Sequence, residues 1–294
     1  MKSRLRSASY IQAALCVCGL SWSSGAFSLQ DGRSDWKWLN LATDARSFSL
    51  SQQGAVLFTS DTTSQVNFSN FLLPTEFGGG IQSLQFWKSS QDFLWTAGGQ
   101  RLLQEDFEGK DEFAQSTGNF DVAAWDLFFG TVWNKKQWAL GTTLNYGQYH
   151  IENGISRALW MNFFAQYQIF QFLKISSQLR QIGGGEGFYK RELHLPSTAN
   201  LGVQYDFSIS QEQLLSSILS VNYENDGGVH TPVGFEWSFN KLLFLRASNP
   251  LRTADLWESV LGAGLSWKWM SFDYAYQFHP ELGGYQQMTL KLTF

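Results

Sequence analysis

From Met288 to the end of the chain every second residue is apolar: Met288, Leu290, Leu292 and Phe294, with Thr289, Lys291 and Thr293 between them. A strand with one apolar and one polar face needs two different media, because successive side chains point to opposite sides. The same period-2 pattern recurs at Leu201–Phe207, Val233–Phe239, Leu261–Trp269 and Phe272–Phe278. Runs of seven to nine residues suit tilted strands that cross a bilayer, with lipid outside and water inside. Aromatic residues near the strand ends fit the girdles of such walls. The soluble alternative, a β-sandwich, alternates too, but over shorter and less aromatic strands.

Composition agrees with a barrel. No window after residue 26 approaches 18 consecutive apolar residues, so a transmembrane helix is not expected. The mean hydropathy of −0.21 resembles a soluble protein, as it does when only alternate residues meet lipid.

The N-terminus reads as a secretory signal over residues 1–26. Lys2, Arg4 and Arg6 precede an apolar stretch from Tyr10 to Leu20, and Ser24-Gly25-Ala26 gives a small-x-small cleavage site. Both cysteines, Cys16 and Cys18, lie inside it, so the mature chain has no disulfide framework. Losing the three basic residues moves the net charge from −4 to −7. An acidic chain without a basic tract is a poor nucleic-acid binder.

Strands are predicted near 80–88, 92–103, 121–134, 137–149, 156–169, 172–182, 198–208, 214–225, 231–240, 242–248, 259–268, 270–278 and 284–294. Bacterial single-chain barrels have even strand numbers. Part of 54–71 therefore supplies a fourteenth strand, with twelve strands as the alternative. Short links such as Asn240-Lys241 belong on the periplasmic side, and the longer links 104–120 and 183–197 on the extracellular side. The organisation read from sequence is a signal at 1–26, a distinct segment at 27–79 and an all-β transmembrane antiparallel barrel at 80–294. Alternation is weak in 27–79, which either folds inside the barrel as a plug or remains a periplasmic arm.

Five charged residues are predicted to point inward: Lys174, Arg180, Glu236, Lys268 and Asp273. In an open channel they would set ion preference. In a plugged barrel they must be paired, and Arg46 in the N-terminal segment is the candidate partner for Glu236 or Asp273. The four histidines, His150, His194, His230 and His279, form no recognisable dyad or metal motif. No catalytic residue, metal or cofactor is expected. The acidic run Glu105–Glu112 does not match an EF-hand, and Gly183–Gly187 lacks the Lys-Ser/Thr of a phosphate loop. They read as a solvated loop and a flexible or close-packed connection.

Several short motifs resemble the PorV/PorQ family of outer-membrane barrels, related to the fatty-acid transporters typified by FadL. They are Ala45-Arg46 with Gly54-Ala55, Asn70–Leu73, Leu195-Pro196, Leu245-Arg246-Ala247, Gly262-x-Gly264, Asp273-Tyr274-Ala275-Tyr276 and the Phe294 end. The resemblance implies a fourteen-stranded barrel with its N-terminal segment inside. It further implies either docking or shuttling of secreted proteins in a type IX-like pathway, or passage of hydrophobic or small solutes. A third reading is a structural or adhesive envelope protein. Phe294 resembles the sorting signal of bacterial outer-membrane proteins. Expected partners are outer-membrane lipid and lipopolysaccharide, the barrel assembly machinery, and secreted proteins or secretion components.

Overall fold

A computed structural model describes residues 36–40, 43–50, 64–73, 79–110, 116–151, 154–188, 192–225, 228–249, 259–279 and 283–294. The expected signal at 1–26 lies outside the described residues, as do the side chains of the acidic run 105–112.

Fourteen antiparallel strands form the wall: β1 (Gln65–Leu72), β2 (Gly80–Ser90), β3 (Phe93–Lys110), β4 (Ser116–Lys135), β5 (Trp138–Ile151), β6 (Gly154–Phe170), β7 (Leu173–Glu186), β9 (Thr198–Ser208), β10 (Gln213–Glu224), β12 (Val233–Phe239), β13 (Leu243–Asn249), β14 (Val260–Trp267), β15 (Met270–His279) and β16 (Gly283–Thr293). Two short strands, β8 (Glu192–Leu193) and β11 (Gly228–His230), pair antiparallel with the ends of β7 and β10. β1 pairs with β2 on one side and with β16 on the other, from Gln65↔Thr293 to Leu72↔Gln286. The sheet is therefore closed, and no wall strand has a free edge.

Three sequence boundaries move. The wall begins at Gln65, not at residue 80, because β1 is the strand that closes it. The segment 104–120 is not a loop: β3 and β4 continue as a hairpin with Phe107↔Phe120 and a register shift after Gln104. Likewise β7 runs on through Glu186, with Gly183 opposite Trp160 and Gly185 opposite Ala158. Backbone pairing continues there beyond the hydrophobic alternation that marks the bilayer.

Six tight links, 91–92, 136–137, 171–172, 209–212, 240–242 and 268–269, lie at the same end as Phe294. Several of their residues adopt left-handed backbone, with φ of 54° at Lys136, 53° at Asn240 and 56° at Lys241. Such turns match the twist of the strands they join. Short turns mark the periplasmic end.

The two faces of the wall differ as the alternation requires. Leu127, Phe129, Leu159, Leu201, Leu261 and Leu265 are exposed on the outside, whereas Asn145, Ser216, Gln287 and Thr289 are buried inside. Leucine and phenylalanine at this density on an exterior are stable only against lipid.

Candidate functional site

The interior is occupied by the N-terminal segment. Lys37–Asn40 forms a 3-10 turn and Ala45–Ser49 a five-residue helix. Asp44 caps the helix: its Oδ1 accepts from the Ser47 amide at 2.9 Å and its Oδ2 from the Ser47 hydroxyl at 2.7 Å. A helix this short does not hold itself together in water. The wall holds it instead.

Inward-facing groups from five strands hydrogen-bond the segment, and a sixth strand packs a ring against it. The Ala45 amide donates to Thr289 Oγ1 of β16 (2.8 Å), and Ser83 of β2 donates to the Thr43 carbonyl (3.0 Å). The Leu39 carbonyl accepts from both Arg180 Nη2 (2.9 Å) and Gln181 Nε2 (3.1 Å) of β7. Trp36 Nε1 donates to Ser156 Oγ of β6, while its ring meets Tyr149 and Trp160 edge-on. Arg46 donates from Nε and Nη2 to the two carboxylate oxygens of Glu236 on β12, at 2.9 and 2.8 Å. These anchors lie around the barrel circumference, so residues 36–40 and 43–50 sit within the lumen.

Consecutive residues of a regular strand cannot both point inward, yet Arg180 and Gln181 do. Gln181 has φ 51°, and the β6–β7 register shifts between Met161 and Phe163. This β-bulge re-aims Gln181, whose amide donates to Asn162 Oδ1 at 2.9 Å. Strict alternation places Gln181 outside, so sequence periodicity had no signal for it.

The Arg46–Glu236 pair belongs to a larger network. Arg246 of β13, cross-strand neighbour of Glu236, donates to Glu236 Oε2 and to Asp273 Oδ1, both at 2.6 Å. Two guanidinium groups thus neutralise two carboxylates in a water-poor interior, where an unpaired charge would be costly. Arg246 is absent from the sequence candidates, although Leu245 and Ala247 beside it already marked its parity as inward. Glycine makes the room. A side chain at Gly262 would collide with Ser49, and a Cβ at Gly234 would lie 2.9 Å from the Leu50 carbonyl oxygen.

The other candidates separate. Lys174 pairs with Asp206 at 3.5 Å near the periplasmic end. Lys268 does not face the lumen: with φ 48° it occupies the exposed turn between β14 and β15, where the strand alternation has ended. Phe294 is exposed, and its amide donates to the Ser64 carbonyl at 2.9 Å. His230, which sequence spacing left without a partner, is buried 3.8 Å from Glu224 and 3.0 Å from Asn222 because β11 folds back along β10.

Below the plug a cavity of about 80 Å³ remains on the β2–β7 side. Its lining mixes Trp87, Phe128, Trp160 and Phe164 with Gln85, Gln100, Asp126 and Asn145.

A closed wall with an apolar exterior and a polar, filled interior is the architecture of one compartment. The chain is a bacterial outer-membrane β-barrel. No protein-family model matches this barrel, and no curated protein matches it. Among solved structures, the toluene transporter TodX of Pseudomonas putida aligns with a TM-score of 0.50 at 8% identity, covering 90% of this chain and 94% of that one. A FadL homologue of Pseudomonas aeruginosa gives 0.47 at 9% identity, covering 86% and 98%. The KdgM porin gives 0.38 at 6% identity, covering 78% and 99%. The barrel thus shares its fold with TodX. PorV/PorQ membership remains a motif resemblance.

Proposed function

We propose that this barrel is a gated, non-enzymatic conduit for small solutes with apolar character, in the manner of FadL-like transporters. The observation that carries the reading is a plug tied to the wall by polar bonds above a cavity with aromatic lining. Polar anchors that break and re-form singly let a plug shift while the wall stays closed. A barrel that only docked secreted proteins would need no solute-sized space within its lumen. The type IX role implied by the family resemblance therefore gives way to the transporter reading.

The test compares the intact protein with a variant lacking residues 36–50, both in liposomes. Intact protein should admit small solutes slowly, and the deletion should admit them faster while keeping the heat-modifiable gel band of a folded barrel. Equal permeability of the folded deletion and the intact protein would overturn the gated-conduit reading.

A further inference from the structure

Asp126 is the one carboxylate among the described residues that line the lumen cavity. It is 4% exposed, and its Oδ1 has no hydrogen-bond partner among the described residues. Its cross-strand neighbour, the uncharged Gln100, donates hydrogen bonds to the carboxylate but brings no positive charge. A buried carboxylate with no cation beside it is among the costliest groups an interior can hold. Arg180 lines the same cavity; its Nη2 donates to the Leu39 carbonyl at the plug, its Nη1 has no hydrogen-bond partner among the described residues, and no ion pair joins it to Asp126.

The surroundings of Asp126 are aromatic. A Cβ at Gly147 would lie 3.1 Å from both the Asp126 Cβ and the Trp160 Cη2, so a side chain there would press on both residues. Phe128 follows Asp126 on the same inward face and lies over Gly98, with its Cζ 2.7 Å from where a Cβ would stand. A cavity lined by one carboxylate and by aromatic rings suits organic cations: the charge meets the carboxylate and the apolar part meets the rings. The size of the cavity limits the guest to roughly five water volumes.

We infer that the cavity is a binding site for a small protonated amine with a short apolar tail, its charge held by Asp126 and its tail by the aromatic lining that includes Trp160 and Phe128. The inference rests on the reading of the lumen as a solute path and names a solute class for it.

Ligand-observed NMR titration of the detergent-solubilised full chain tests this with three probes of one size: propylammonium, propanol and propionate. Propylammonium should bind saturably and more tightly than the other two. Asp126→Asn should weaken it by roughly tenfold, the loss expected when a charge-assisted contact becomes neutral. Phe128→Leu should weaken it by less. Absence of saturable propylammonium binding, or equal binding of propanol or propionate by the unmodified chain, would overturn the assignment without any variant having to fold. Failure here with permeability intact refutes only the amine site. Binding without permeability refutes only the conduit.

Discussion

Arg246 reaches over strand β14 to Asp273 on β15, and Gly264 is the residue it crosses. The Arg246 Nη1–Asp273 Oδ1 distance is 2.6 Å, and a Cβ at Gly264 would meet both side chains. Two groups on strands that are not neighbours are joined because the strand between them carries a hydrogen where others carry a side chain. Gly264→Ala should therefore break this contact and destabilise the barrel by about 1–3 kcal/mol, as overpacking does. The check is the temperature at which the folded gel band converts to the unfolded one. An unchanged temperature would mean that the pair adapts without cost.

The two arginines should fail differently. Removing Arg46 leaves Glu236 paired with Arg246, so no carboxylate is stranded. Arg46→Ala should cost about 1.5–3 kcal/mol of plug docking, roughly a 10–100-fold shift toward the open state, with little change in barrel melting. Arg246→Ala strands Asp273 and half-strands Glu236, and should cost about 3–5 kcal/mol of the wall itself. Conductance and melting measured on both variants separate the cases. Matching phenotypes would contradict the division of labour.

Trp36 fastens the other end of the plug. It is completely buried, bonded to Ser156 and packed against Trp160 and Tyr149. Trp36→Ala should weaken plug docking by about 3–5 kcal/mol. Proteolysis of folded barrels is the direct measurement, since a released N-terminal segment is cut before the wall. Equal protection in the variant and the parent would argue that Arg46 and Leu39 suffice.

Phe294 offers little to the folded state. Its side chain is 77% exposed, and its structural bond comes from the backbone amide, which joins β16 to Ser64 ahead of β1. Deleting Phe294 should leave in vitro refolding nearly intact while lowering outer-membrane levels sharply in cells. Undiminished levels would remove the sorting role.

Alternation is a local property, and it carried the architecture. Each of the thirteen predicted strands overlaps a wall strand, and the fourteenth appears at Gln65–Leu72, overlapping the predicted segment 54–71 and ending one residue beyond it. The inward parity of Glu236 and Asp273 was legible for the same reason, because lipid on one side and polar interior on the other constrain every second residue. Tertiary structure decided what local periodicity does not encode. Which carboxylate meets Arg46 depends on a helix arriving 190 residues away in sequence. Gln181 turns inward only through a bulge, Lys268 leaves the lumen because its strand ends one residue earlier, and Asp126 and Trp160 share one cavity with a glycine, Gly147, where a side chain would crowd both. Sidedness follows from the medium each residue meets, and the chain writes that residue by residue. Partnership follows from closure of the wall around the plug, which sets side chains from distant strands face to face.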